Sequence, residues 1–319
     1  MKAVLPVALA ACLAASALPS AAHAADPAAI MRHIRDPQGG VLVAAHRGCH
    51  EKAPHHGWGT TPENSGSALL RCVALGVEIM ETDIHKTRDG YLVMIHDDRV
   101  DRTTDGTGAV ADLTLRQIKA LHLRDDEGGP AAPVTTETVP TLDELLALAR
   151  DRIVLNLDIK DMIYAEVIDA VVRAGAQDRV IVKTTGGIGS PALAAIAPYD
   201  RVPFMVIPTT GDPQAADLPA VIARQAAGRT RPVAMELPHI PAAALPAIAT
   251  AGRAAGVRLW VNTLFAGFVT GMGSDIDALR DPDAVWGTLI RAGVSMIQTD
   301  EPEALVRYRT TLSHPAPPR

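Results

Sequence analysis

Aromatic residues make up only 3% of this 319-residue chain, three Phe, three Trp and four Tyr. So few rings leave no series of stacking platforms for single-stranded nucleic acid. An excess of positive charge is missing too, because 30 Lys and Arg face 36 Asp and Glu for a net charge of −6. A phosphate-backbone partner is thereby disfavoured. After the first two dozen residues no long hydrophobic run recurs, which excludes stable membrane insertion as a helical span. What the chain does have is 48% hydrophobic residues and 21% charged ones, enough for a sizeable buried core.

The N-terminus reads as an export signal over residues 1–24. Lys2 supplies a positive start, Ala3 to Ala17 is almost entirely apolar, and Ala22-His23-Ala24 fits a small-x-small cleavage site. An exported protein, periplasmic or secreted, is expected, with residues 25–319 as one domain. Leu9-Ala10-Ala11-Cys12 resembles a lipid-attachment box but would leave too short an apolar region. Of the three cysteines Cys12 leaves with the signal, so Cys49 and Cys72 remain. They are expected to be free thiols, since Cys49 follows a strand and Cys72 lies near the far end of a helix, beyond the roughly 7 Å that a disulfide spans.

Eight short apolar runs begin at Val41, Val77, Ile153, Val180, Pro203, Pro232, Val257 and Val294, and helical patterns separate them. Alternation of this kind implies an α/β fold, a (β/α)8 TIM barrel. A hairpin at Thr87-Arg88-Asp89-Gly90 doubles the second strand region, and a polar excursion over 98–140 follows it. Helices are expected over 65–75, 142–149, 165–174, 191–196, 218–227, 242–255, 283–292 and 303–309, and a long loop over 264–282.

Charged groups stand where the apolar runs end, which is where such barrels carry their chemistry. On the second strand Glu81 and Asp83 alternate onto one face, and Asp158 and Lys160 share a face of the third. Three carboxylates with no cysteine suit a hard divalent cation, Ca2+ or Mg2+; salt bridges to Lys or Arg are the plainer alternative. His46 and His96 end neighbouring strand regions and suit general acid and base work. Arg47 and Lys160 suit an anionic phosphate. Glu63, before the second helix, is read as a cap or a further metal-shell group, and Trp260 as packing on an apolar part of the substrate. Glu236, Asn262 and Asp300 are expected to line the same pocket, and His50, His55 and His56 to lie in a solvated polar loop.

In order along the chain, His46-Arg47-Gly48, Pro62-Glu63-Asn64-Ser65, Glu81-Thr82-Asp83, Thr87-Arg88-Asp89-Gly90, His96-Asp97, Arg102-Thr103-Thr104 and Asn156-Leu157-Asp158-Ile159-Lys160 form a motif set. With Trp260-Val261-Asn262 and Thr299-Asp300-Glu301-Pro302, the set resembles that of the glycerophosphodiester phosphodiesterase family. The resemblance implies a barrel enzyme that hydrolyses a glycerophosphodiester to sn-glycerol 3-phosphate and an alcohol, using a divalent cation. It further implies His46 and His96 as the acid and base, Glu81, Asp83 and Asp158 as metal ligands, and Arg47 and Lys160 on the phosphate of a small-molecule phosphodiester; Glu63 and Trp260 are read from the residues themselves as further substrate-binding positions. Three departures stand out: Asp158 replaces a usual Glu, Ser65 a usual Thr, and the loop 49–61 is long and rich in His.

Two other readings use the same residues. A phospholipase D-type barrel acting on lysophospholipid or sphingomyelin shares an Asp-x-Lys like Asp158-Ile159-Lys160, but the Thr-x-Asp-Gly hairpin and His96-Asp97 favour the first reading. A non-catalytic barrel that only binds has no need of an intact His pair. A glycosidase with paired carboxylates leaves Arg47, Lys160 and both His without a task.

Overall fold

The computed structural model describes residues 26–212 and 214–313. The expected export segment and Cys12 lie outside these residues.

Eight parallel strands close into a ring: β1 (Leu42–Ala45), β2 (Ile79–Lys86), β3 (Val154–Ile159), β4 (Val180–Gly186), β5 (Phe204–Pro208), β6 (Ala234–Glu236), β7 (Arg258–Asn262) and β8 (Met296–Thr299). Each pairs with its neighbours in sequence, and β1 pairs with both β2 and β8. This is the (β/α)8 TIM barrel that the alternation predicts.

The period of two explains how the ring is filled. Leu42, Ala44, Ile79, Val154, Ile181, Met205, Ala234, Trp260 and Met296 form one buried cluster inside the barrel. The residues between them, such as Val43, Leu155, Val182, Val206, Val261 and Ile297, join the larger core shared with the outer helices. Two residues further along seven of the strands the inner row turns polar, and His46, Glu81, Asn156, Lys183, Glu236, Asn262 and Gln298 follow, while β5 continues apolar with Ile207. The lower layers are therefore apolar filling and the upper layers carry chemistry.

Helix α1 (Pro27–Arg35) closes the lower end, where Ile30, Met31 and Ile34 join the inner cluster. Arg258, buried on the inner row of β7, donates to the carbonyls of His33, Ile34 and Gly40 at 2.8, 3.0 and 2.7 Å. Two of these carbonyls belong to the last turn of α1, which a cation complements.

Not every expected element forms. Between Pro191 and Pro198 there is one 3-10 turn, Leu193–Ala195, rather than a helix; six residues bounded by prolines cannot offset the cost of nucleating an α-helix. The supposed loop 264–282 contains a short helix, Asp275–Arg280, and a two-residue strand, Val269–Thr270. The polar excursion includes an antiparallel hairpin, His122–Arg124 with Val134–Thr138, and buries a small cluster of its own around Val93, Val100, Val110, Ile118 and Leu123. No helix among the described residues is long and apolar enough to cross a membrane.

Cys49 and Cys72 are joined in a disulfide, with Cα atoms 5.2 Å apart, and are not free thiols. After β1 the chain turns outward at Gly48 (φ 87°), whose Cα lies against Ala68 of helix α2 (Gly66–Leu75), and Cys49 N–H donates to the Ala68 carbonyl. Cys72 is one helical turn beyond Ala68 on the same face, so the gap to cross is a turn of about 5.4 Å rather than the length of the helix. At Gly48 a Cβ would meet the Ala68 Cβ at 2.8 Å, and this turn admits only Gly.

The cross-link spans 23 residues, for which loop-closure entropy predicts about 3 kcal/mol of stabilisation. The double change Cys49→Ser/Cys72→Ser is expected to lower the urea unfolding free energy by about that amount, and equal stability would show that the closed loop contributes nothing.

Candidate active site

A pocket of ≈220 Å3 opens at the polar end of the barrel, lined among others by His46, Arg47, Glu81, Asp83, His96, Asp158, Lys160 and Lys183. The structure thus brings together seven residues that the sequence singles out, from β1, β2, β3 and the segments that follow them. It adds one the sequence reading passed over. Lys183 ends the apolar run Val180-Ile181-Val182, and a charged residue in that position on a barrel strand is the signal that locates it.

Oxygen atoms of Glu81, Asp83 and Asp158 lie within 4.8 Å of one another. Register explains the meeting, since Asp83 pairs with Asp158 across β2 and β3, and Asp158 with Lys183 across β3 and β4. Lys160 Nζ reaches Asp83 at 2.8 Å and Asp158 at 3.1 Å. The buried Lys183 Nζ lies 3.0 Å from Glu236, 3.5 Å from Asp158 and 3.6 Å from Glu81.

The charges are not evenly shared. Burial alone would raise Asp83, yet Lys160, His96 and Arg47 together hold its carboxyl below the usual range. Glu81 is pushed up to about 7, first by burial and then by the negative charge of Asp83, despite Lys183 and His46. A carboxylate short of positive charge, beside two others with oxygens close enough to share one ligand, is a donor set that fits a hard divalent cation. The residues present therefore fit the metal that the motif set implies.

Both histidines are oriented through Nδ1. His46 Nδ1 bonds to Asp300 at 2.8 Å and His96 Nδ1 to Asp97 at 2.8 Å, leaving each Nε2 for a substrate. Burial would lower the His46 pKa, but the bond and charge of Asp300 outweigh it and leave the group above its ordinary value.

Behind the pocket the carboxylates are tied to each other through Arg. Arg102 grips Asp97 with Nε and Nη2, both at 2.8 Å, and Glu63 with Nη2 at 2.8 Å and Nη1 at 3.0 Å. Glu63 also accepts from Arg47 Nη1 at 2.9 Å, while Arg47 Nε lies 3.7 Å from Asp83 with no hydrogen-bond acceptor. One chain of ion pairs thus runs His96–Asp97–Arg102–Glu63–Arg47 and links both sides of the pocket. Asn64 adds a second tie, donating to Asp83 at 3.0 Å and accepting from the Thr82 hydroxyl at 2.6 Å. The cap of α2 is Ser65, which accepts from Ala68 N–H.

Three expectations need correction. Glu63 neither caps the helix nor lines the pocket, because both its oxygens are taken by Arg47 and Arg102. Trp260 does not reach the substrate. It is fully buried in the lower cluster beside Met296 and Ile30, one layer beneath Asn262, to which its Nε1–H donates at 2.8 Å. The aromatic lining comes from Phe265 and Phe268 instead. His50 is not solvated: it is 1% exposed, 3.1 Å from Asp126 through Nδ1 and 3.5 Å from Asp300 through Nε2. His55 and His56 do lie at the surface, the latter bonded to Glu303. Of the remaining expected residues, Glu236 and Asn262 line the pocket and bond to each other at 3.0 Å, and Asp300 stands behind His46.

Residues 46–304 match the family model described as the Glycerophosphoryl diester phosphodiesterase family. A glycerophosphodiester phosphodiesterase of Caldanaerobacter subterraneus subsp. tengcongensis is 29% identical over 273 residues, covering 83% of this chain and 96% of the relative. Among solved structures, a glycerophosphoryl diester phosphodiesterase from Parabacteroides distasonis superposes with a TM-score of 0.68 at 21% identity, over 92% of this chain and 95% of that one. An Oleispira antarctica phosphodiesterase, solved in complex with the product sn-glycerol-3-phosphate, superposes with a TM-score of 0.56 at 18% identity, over 85% and 97% of the two chains.

Burial opposes the charged form of His50, but hydrogen bonds to Asp126 and Asp300 raise it to about 10. A raised folded pKa stabilises fully below the unfolded value near 6.5 and ceases to do so as the pH passes about 10. His50→Gln is expected to cost about 2 kcal/mol near pH 6, discounted from a fully buried pair because Asp126 is partly exposed, and progressively less towards pH 10. Urea titrations of both proteins across that interval measure it, and a gap that stays constant with pH rejects the protonated form.

Proposed function

The chain belongs to the Glycerophosphoryl diester phosphodiesterase family, phosphoric diester hydrolases built on this barrel, and from that premise we propose that it hydrolyses a glycerophosphodiester to sn-glycerol 3-phosphate and an alcohol by proton transfer through His46 and His96. The observation that carries this reading is the pair of imidazoles, each fixed at Nδ1 by its own carboxylate, on one pocket with a cluster of three further carboxylates. Support for the product comes from the Oleispira antarctica structure, whose ligand is sn-glycerol-3-phosphate.

In this reading Glu81, Asp83 and Asp158 would hold a divalent cation, Ca2+ or Mg2+, which would supply positive charge for the phosphoryl oxygens. Arg47 and Lys160, both lining the pocket, hold the phosphate. One imidazole Nε2 removes the proton of a glycerol hydroxyl as its oxygen attacks phosphorus, and the other gives a proton to the departing alcohol. A cyclic phosphate forms, and water opens it with the two roles exchanged. His46, held by Asp300, gains proton affinity from that carboxylate. His96 is oriented by Asp97 through Nδ1, and Arg102 keeps that carboxylate ionised. We further infer that the protein is exported, a reading supported by the Cys49–Cys72 disulfide, since such bonds persist in oxidising compartments.

Purified protein is expected to release glycerol 3-phosphate from glycerophosphocholine, to lose that activity with chelator and to regain it with Mg2+ or Ca2+. His46→Ala and His96→Ala should each lower kcat by at least 100-fold. Full activity in either variant would remove that His from the mechanism. Saturating cation at about 100 times its Kd should raise stability by about 2.7 kcal/mol, and Asp158→Asn should lose that increment.

A further inference from the structure

The loop after β7 places two of the three phenylalanines of the chain, Phe265 and Phe268, at the mouth of the pocket. Phe265 is 56% exposed, although it is among the larger apolar side chains of the protein. Exposure of an aromatic ring beside a catalytic pocket, in a chain so poor in aromatics, needs an explanation that core packing does not supply.

The two rings do not stand alone. Their centroids are 4.5 Å apart, and the exposed His239 stacks on Phe268 at 4.9 Å with an interplanar angle of 12°. The ledge is also fixed in place. His239 Nδ1–H donates to the Gly267 carbonyl at 3.0 Å, Ile240 N–H donates to the Phe268 carbonyl at 3.0 Å, and Ile240–Pro241 pairs in parallel with Val269–Thr270. Gly267 supplies the turn between the rings with φ 116°. On the far side of His239 a groove of ≈410 Å3 continues between Ile207, Pro208, Thr209 and Pro238.

Phosphate chemistry sits on the opposite side, at Arg47, Lys160 and the carboxylates of β2 and β3. A diester bound there with its glycerol arm inward directs its other arm towards the mouth. We propose that Phe265, Phe268 and His239 form a subsite for that second arm, and that it selects an alcohol with an extended hydrocarbon surface. The carboxylates of the pocket, Glu81, Asp83, Asp158 and Glu236, lie at its floor beside Lys160 and Lys183, while the ledge itself offers only ring surface and the imidazole of His239. A methylene chain laid across the rings of Phe265 and Phe268 is removed from water along its whole length, so its gain grows with chain length.

The inference rests on the proposed phosphodiesterase reading, and its test separates the two. Glycerophosphate esters of methanol, butanol and octanol have similar leaving groups and differ in apolar length. Wild-type kcat/KM is expected to rise about ten-fold from methyl to octyl, mostly through KM. In Phe265→Ala that dependence should flatten to about two-fold, and Phe265→Leu should restore most of it, an outcome that a merely structural role would not give. A wild-type rate independent of chain length, with glycerol 3-phosphate still released, would overturn the subsite and leave the phosphodiesterase intact. If no ester is hydrolysed, the phosphodiesterase reading falls, and calorimetry with octyl phosphate against methyl phosphate decides the subsite by itself. Tighter octyl binding that Phe265→Ala abolishes supports it, and equal binding of the two rejects it.

Discussion

Everything at the polar end of this barrel depends on holding Glu81, Asp83, Asp158 and Glu236 together within a few ångströms of buried space. Carboxylates in that setting repel one another and have lost most of their water. Lys160 and Lys183 balance part of the charge, and the raised pKa of Glu81 shows where the balance falls short. The barrel is committed to that arrangement because the inner face of seven of its eight strands changes from apolar to polar at about the same height. Under the proposed function a divalent cation held at these carboxylates would supply the positive charge that the side chains lack.

A second shell of ion pairs makes that geometry rigid. Arg102 sits between Asp97 and Glu63 and contacts no substrate-facing atom of its own, yet His96 on one side and Arg47 on the other take their positions from it. Long polar side chains are mobile when they end in solvent. Here their ends are consumed by one another, which restricts the rotamers of the groups that face the pocket.

The sequence revealed the barrel because the strands are short apolar runs, most of them ending in a charged or amide side chain, as in Ile181-Val182-Lys183 or Trp260-Val261-Asn262. The alternation that puts Glu81 and Asp83 on one face was legible for the same reason. Depth was not legible. Trp260 and Asn262 share an inward row, and only the closed ring shows that two residues of rise separate filling from chemistry. The disulfide escaped notice because its distance depends on how the chain leaves β1 at Gly48, a tertiary fact. His50 was misplaced for a related reason, since a His-rich loop looks solvated until Asp126 and Asp300, far away in sequence, fold over it. The hairpin of the excursion has strands that are largely exposed, and the helix Asp275–Arg280 is too short to show a helical period.

The bond from His46 to Asp300 joins residues 254 positions apart, at the tips of the first and last strands. That contact forms only when β8 has docked against β1 and the ring is shut. The molecule thus carries a built-in completion check: a chain still being made, or one that has folded all but its final strand, presents His46 without its carboxylate. The orientation of His46 therefore belongs to the closed ring as a whole and to none of its eight units taken singly.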